Sequence, residues 1–276
     1  MEAVFSENQL TPAMAMEELK ALAKEMGALK ASVDALVTGF TGLSVPRMDL
    51  EPGACELGVL IPRAAVQDRL DLFATELKIF HQVLKDMNEY VTNDAAPVRI
   101  RAISSSDLTV YLDMLPKVGA FLAVCLERLI AAYKKILEIR KLRNELATQG
   151  VPEESLGQVD SHANTVMEEE IRSIVEEVCR ENCAVEGARK NELEVSLQTG
   201  LNRLANRIDK GYNIDIRAKP PEQAANDNSD DAERAAADAA LVISQASAAL
   251  EFIREEGAPI LTLPEGEEEG KKKSGS

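Results

Sequence analysis

The sequence contains no tryptophan, and only 4% of its 276 residues are aromatic. Flat aromatic rings are the usual platforms for stacked bases and sugars, so the composition is poor for a surface that binds single-stranded nucleic acid or carbohydrate. Histidine is also scarce, with two residues in the chain. Because most acid–base and many metal sites use imidazole, few such sites can be drawn from this sequence.

Several familiar motifs are missing as well. The sequence contains no GxGxxG, GxxxxGK[ST] or GxSxG, so the known phosphate-binding loops and nucleophile elbows are absent. Its longest apolar run, Val118–Leu126, is far shorter than the roughly 20 residues of a membrane-spanning helix. The N-terminus lacks the basic and apolar regions of a signal peptide. We therefore expect a soluble cytoplasmic protein with no transmembrane segment, no bound cofactor and reduced cysteines.

The chain is strongly acidic, with a formal net charge of −16 at neutral pH. This charge repels nucleic acid and anionic membranes over about 8–10 Å at physiological salt, so binding to either is unfavourable. A hydrophobic fraction of 45% provides enough apolar surface for a folded core. The composition thus favours a folded protein with protein partners.

The spacing of apolar and turn-forming residues predicts a mainly α fold with a small antiparallel β element, of the α+β class. The apolar periods change along the chain, and prolines, glycines and charged runs separate them. We predict an N-terminal amphipathic helix over 1–45, a helical core with a small sheet over 46–217, a linker over 218–229, an alanine-rich helix over 230–256 and a disordered charged tail over 257–276.

Within the core, a long helix from about Pro116 to Gln149 is followed by a tight turn at Gly150 and Pro152 and by a second apolar stripe. The short connection predicts an antiparallel helical hairpin. A third helix should cover about Arg189–Lys210. Alternating apolar and polar residues predict strands at 56–61, 98–103, 107–113 and 212–217. Between the middle two, Ser104–Asp107 is predicted to be a turn, because nothing in the sequence places a base beside its serines.

The N-terminal helix carries an apolar seam whose members alternate by three and four residues, as in a coiled-coil heptad. The seam comprises Leu19, Leu22, Met26, Leu29, Val33 and Leu36. Two interpretations remain open from the sequence. The helix packs on its own domain, or the seam joins copies of the chain into a homo-oligomer.

The third helix carries a polar face opposite its leucine stripe. Asn202 and Asn206 are spaced by four residues, as are Arg203 and Arg207. These side chains could form an interaction face for a carboxylate or phosphate group. The sequence favours the simpler interpretation, an ordinary solvated face.

Two further groups are candidates for chemistry. Cys179 and Cys183 are spaced i, i+4 and should be exposed, far from the apolar stripe of a continuous helix. His162 shares a helix face with Glu169. Either group could serve a metal- or thiol-dependent enzyme, but neither CxxC nor HExxH is present, so inert side chains are favoured.

These observations favour a non-catalytic interaction, scaffold or regulatory protein that self-associates through helices. The first alternative is a metal- or thiol-dependent enzyme or effector that uses His162 and Glu169, or Cys179 and Cys183. The second is a nucleic-acid or membrane-surface binder that uses Arg203 and Arg207, which the acidic charge disfavours.

Overall fold

The computed structural model describes residues 12–42, 49–94, 96–104, 107–182, 188–222, 231–249 and 258–266. Within these ranges the chain forms seven helices and one antiparallel sheet of four strands, which confirms the predicted fold class. The chain divides into two compact units, Met1–Asp49 and Leu50–Ser276. No helix in the described ranges has the length and apolar character needed to cross a membrane.

The first unit contains helix α1, Pro12–Gly42. The second contains all the other helices and strands. In chain order these are β1 (Cys55–Leu60), α2 (Arg63–Val66), α3 (Leu70–Thr92), β2 (Arg99–Ile103), β3 (Thr109–Met114), α4 (Pro116–Thr148), α5 (Glu153–Asn182), α6 (Ala188–Asp209), β4 (Asn213–Ala218) and α7 (Asp231–Ala249).

The sheet has the strand order β2-β3-β1-β4, and each strand lies within two residues of its predicted position. The β2–β3 hairpin predicted around the serines is present: the Ser104 N–H donates to the Thr109 carbonyl at 2.8 Å. The Asp107 carboxylate accepts hydrogen bonds from the hydroxyls of Ser104 and Thr109, which lowers its pKa. Ser105 and Ser106 lie outside the described residues. Ser104 and Asp107 thus stabilise the turn of the hairpin.

Helices α4 and α5 form the predicted antiparallel hairpin. Four ion pairs join them: Arg128–Glu177 at 2.7 Å, Lys135–Glu170 at 2.5 Å, Arg143–Asp160 at 2.7 Å and Arg143–Glu153 at 2.8 Å. As the residue number rises along α4 it falls along α5, which is the register of an antiparallel pair. The buried inner faces of the two helices contribute Leu129, Ile136, Met167 and Ile171 to the core.

The N-terminal turn of α4 approaches β1 and α7 unusually closely, at Gly119. A Cβ atom added there would lie 2.4 Å from Cys55 Sγ and 3.3 Å from Ile243 Cδ1. Alanine-rich α7 contributes small buried side chains to the same region, including Ala246. Small residues thus let a helix, a sheet and a second helix meet in one core.

We expect Gly119→Ala to destabilise the protein by about 1–3 kcal/mol, because Cys55 Sγ and the surrounding backbone must shift to make room. Gly157→Ala is the matched control, since a Cβ atom there would meet nothing within 4 Å. Because Gly157 lies inside helix α5, alanine should stabilise it by about 0.5–1 kcal/mol. Urea denaturation of both variants tests the expectation, and equal midpoints would contradict it.

The C-terminal tail is a correction to the sequence analysis. We predicted disorder over 257–276, but residues 258–266 lie in a defined path that is neither helix nor strand. Ile260, Leu261 and Leu263 are each 3–4% exposed and belong to the main hydrophobic core. Burial of these three apolar side chains stabilises the segment in this position, although many charged residues follow it in the sequence. We refer to residues 258–266 as the C-terminal segment.

Candidate functional site

The first candidate site is the seam of α1. Its leucines at positions 22, 29 and 36 are 40%, 67% and 60% exposed, and Met26 and Val33 are also exposed. Leu19 has intermediate exposure. Monomeric proteins rarely expose contiguous apolar residues along one helix face, and such faces typically mark interaction sites.

The second candidate site is the polar face of α6, and here the favoured solvated interpretation is wrong. Asn202, Asn206 and Arg207 are 5%, 4% and 2% exposed. Their side chains contact the C-terminal segment, which lies about 60 residues later in the chain. Polar side chains can be buried when another part of the chain offers hydrogen-bond partners, and the segment accepts at least one hydrogen bond from each of these three residues.

Amide side chains pair with the main chain of the segment much as a neighbouring strand would. Asn206 donates through Nδ2 to the Leu263 carbonyl at 3.0 Å and accepts through Oδ1 from the Leu263 N–H at 2.9 Å. On α5, Asn164 accepts from the Thr262 N–H at 2.7 Å and donates to the Ile260 carbonyl at 3.3 Å. Two helices thus hold opposite edges of one extended peptide.

Asp209, the last residue of α6, anchors the start of the segment. Its fully buried carboxylate accepts from the main-chain N–H groups of Ile260 and Leu261 at 2.6 and 2.7 Å. It also accepts from the Tyr133 hydroxyl at 2.7 Å and from the Arg140 guanidinium at 3.1 Å. Burial, together with the charge of Asp209, raises the pKa of Tyr133. Four donors therefore converge on one buried carboxylate.

Arg207 holds the other end of the segment. Its guanidinium donates to the Glu76 carboxylate at 2.7 Å and to the Glu265 carboxylate at 3.1 Å. Glu265 also accepts from Asn206 Nδ2 at 2.8 Å. Burial, and then the charge of Glu76 with its hydrogen bond, raises the pKa of Tyr212 beside this pair. The carboxylate of the segment is therefore paired with a buried cation that a second carboxylate also neutralises.

The remaining members of this face contact the same stretch. Asn202 Nδ2 donates to the Pro264 carbonyl at 2.9 Å, and Arg203 Nε donates to the Glu265 carbonyl at 2.9 Å. The four polar residues singled out in the sequence thus all contact the C-terminal segment. Chemically, the arrangement provides side-chain donors and acceptors for a peptide main chain, apolar contact and one cation for a carboxylate. We call it the α5–α6 groove.

The cysteine prediction is corrected by the structure. Cys179 was expected to be exposed but is 6% exposed and belongs to the core, with Cys125 close enough for a charge interaction. Burial raises the pKa of Cys125 to about 12. A thiol with such a pKa is protonated and unreactive at neutral pH. Cys183 lies outside the described residues.

His162 and Glu169 are both exposed on α5. Among the described residues, no group of three or more His, Cys, Asp or Glu side chains is arranged to hold a metal ion. Arg207, which carried the nucleic-acid alternative together with Arg203, is buried and paired with carboxylates. The geometry therefore offers no specific observation in favour of either alternative function.

Comparison of the chain with protein-family models, with curated protein sequences and with solved structures finds no match. The function is therefore argued from the geometry of the two candidate sites.

Sequence reasoning missed the partners that complete the groove. Asp209, Arg140 and Asn164 each lie on or beside an apolar helix face, and none belongs to a recognisable motif. A signal was present in the segment itself: apolar residues at 260, 261 and 263 interrupt an otherwise charged tail. The average composition of residues 257–276 is dominated by charged residues, so it does not reveal these three apolar positions.

Proposed function

We propose that this chain is a non-catalytic interaction protein that self-associates through α1 and acts as an adaptor or regulatory subunit. The observation that carries the proposal is the exposed apolar seam of α1. The occupant that fits it best is a second copy of the same helix, because heptad seams are self-complementary.

The heptad positions support this assignment. Leu22, Leu29 and Leu36 recur every seven residues at the position called d, and Leu19, Met26 and Val33 recur at position a. Leucine at d favours packing in parallel two-stranded coiled coils. Burying each large apolar side chain stabilises an interface by about 1.5–3 kcal/mol. Five or six such residues from each copy are enough for association at micromolar concentration.

Charge complementarity favours the parallel arrangement. Glu25 stands at position g and Lys30, five residues later, at position e, and these positions face each other across a parallel dimer. Within one chain, Lys30 Nζ contacts Asp34 at 2.7 Å, with both side chains more than 60% exposed. An exposed pair of this kind is worth less than about 1 kcal/mol, so Lys30 can exchange Asp34 for Glu25 of the partner helix at little cost.

The proposal is tested by the oligomeric state of the full chain. Sedimentation equilibrium at tens of micromolar should show a dimer. Leu22→Asp with Leu29→Asp should dissociate it, weakening association by about 100-fold or more, because charges replace four buried leucines in each dimer.

The control is Ala28→Asp with Ala31→Asp, which adds the same charge to the same helix at exposed positions outside the seam. It should leave the dimer intact. A wild-type chain that is strictly monomeric, or two double variants that behave alike, would contradict the proposal.

A further inference from the structure

The C-terminal segment is bound in the manner of a peptide ligand. Eight main-chain N–H and C=O groups between Ile260 and Glu265 each pair with a side chain of α5 or α6. The segment belongs to neither a helix nor a strand of the fold. A site whose side chains form hydrogen bonds with the main chain of a peptide can bind extended peptides of varied sequence.

The segment also offers side chains that would restrict which peptides fit. Ile260, Leu261 and Leu263 are buried, whereas Thr262 and Pro264 between and after them are exposed. The Glu265 carboxylate pairs with Asn206 and Arg207. The recognised pattern is therefore two apolar residues, any residue, a third apolar residue, any residue and glutamate.

A glycine completes this pattern. Gly266 has φ of +70°, a conformation that other residues rarely adopt, and a Cβ atom there would lie 3.2 Å from Thr199 Cγ2. A side chain at this position would thus be both strained and crowded. A peptide that ends at this point, or that continues through glycine, satisfies the geometry.

The charged groups of the groove keep partners when the segment is removed. Asp209 retains Arg140 and Tyr133, and Arg207 retains Glu76. No buried ion would therefore be left unpaired in an empty groove, which is the usual reason that a polar site cannot be vacated. Asp209 and Arg207 therefore stay paired when the segment is absent. This is expected of a binding site that can be empty, and not of a segment that serves only to stabilise the fold.

We propose that the α5–α6 groove is a peptide-recognition site in which the C-terminal segment is a resident ligand that a partner protein displaces. The partner presents an extended segment with the same apolar–apolar–x–apolar–x–Glu pattern. Because the resident segment is part of the chain, its effective concentration is high, and it holds the groove closed to weak competitors. This inference is independent of self-association through α1.

The test uses the full chain and a fluorescent peptide with the sequence of residues 258–266, APILTLPEG. Leu261→Asp with Leu263→Asp disables the resident segment without altering any groove residue. By fluorescence anisotropy, this vacated variant should bind the peptide at least about 100-fold more tightly than the wild-type chain does, because intramolecular competition is gone.

Two controls establish the site. Adding Asn206→Ala to the vacated variant should weaken peptide binding at least about tenfold, because Asn206 pairs with both main-chain groups of Leu263. A peptide with Asp in place of the leucine equivalent to Leu263 should not bind. If the vacated variant is poorly folded, saturating peptide should raise its melting temperature towards that of the wild type, since a ligand of the native state stabilises it.

Three results would overturn the inference. The first is a folded vacated variant that does not bind the peptide, and the second is a destabilised one whose melting temperature the peptide does not raise. Both would make the segment a structural strut. The third is a complex between the vacated variant and a chain carrying Asn206→Ala with an intact segment, formed even when α1 carries Leu22→Asp and Leu29→Asp. That complex would assign the groove to exchange between copies of this chain and not to another protein.

Discussion

Replacing Asp209 by Ala is expected to lower the free energy of unfolding by about 3–5 kcal/mol. The carboxylate is fully buried, and Arg140 beside it is 4% exposed at its side chain. Without Asp209, the buried Arg140 guanidinium loses this carboxylate partner. The N–H groups of Ile260 and Leu261 lose their acceptor as well. Desolvated groups without partners cost far more than a lost surface contact.

A double-mutant cycle separates these contributions. Arg140→Met in the Asp209→Ala background removes the stranded charge, so it should recover at least about 1 kcal/mol of the loss. Guanidinium denaturation of the four chains provides the measurement. Glu170→Ala is a suitable control, because Glu170 forms a shorter ion pair, at 2.5 Å, with the exposed Lys135, and its loss should cost less than about 1 kcal/mol. Equal losses for Asp209→Ala and Glu170→Ala would contradict the expected role of burial.

The second large effect is expected at Arg207. Its replacement by Met keeps the apolar length of the side chain but leaves Glu76, whose side chain is 17% exposed, without its cation. It also removes a donor to Glu265. We expect a loss of about 2–4 kcal/mol, somewhat below the cost at Asp209 because water can reach part of Glu76.

Arg203→Met is the matched control for this prediction. Arg203 lies one turn earlier on α6 and donates to the Glu265 carbonyl, so its loss should cost about 1 kcal/mol. Glu76→Gln should rescue part of the Arg207→Met defect and none of the Arg203→Met defect. Urea midpoints that do not distinguish the two arginine variants would show that burial of Arg207 contributes little.

The groove and the seam differ in which kind of side chain is exposed and which is buried. The seam of α1 exposes apolar side chains, whereas the groove encloses polar ones and pairs them with a peptide from the same chain. The proposed second copy of α1 would remove the apolar seam from water, whereas the resident segment supplies partners for the amide side chains of the groove. The two experiments can fail separately, since one measures association through residues 19–36 and the other measures peptide binding by α5 and α6.

Local patterns in the sequence predict most of the helices and all four strands. Apolar residues recur with a period near 3.6 along α3 to α6, and they alternate with polar residues along the four strands. The pattern within each segment therefore indicates its secondary structure. The hairpin of α4 and α5 followed from a turn too short to allow any other arrangement. Gly211 has φ of +85° and lies just beyond α6, a position where glycine commonly follows the end of a helix.

Which polar residues are buried depends on contacts between segments that are distant in the sequence. Asn206 and Arg207 have the spacing of a solvated face, and the sequence near them contains nothing to cover them. Their partners are supplied by residues 263 and 265, more than fifty positions away in the chain. Cys179 is buried for a related reason, because α4 packs against the side of α5 that carries it. Burial depends on contacts between distant segments, and a local pattern of residue types cannot report what those segments will bring.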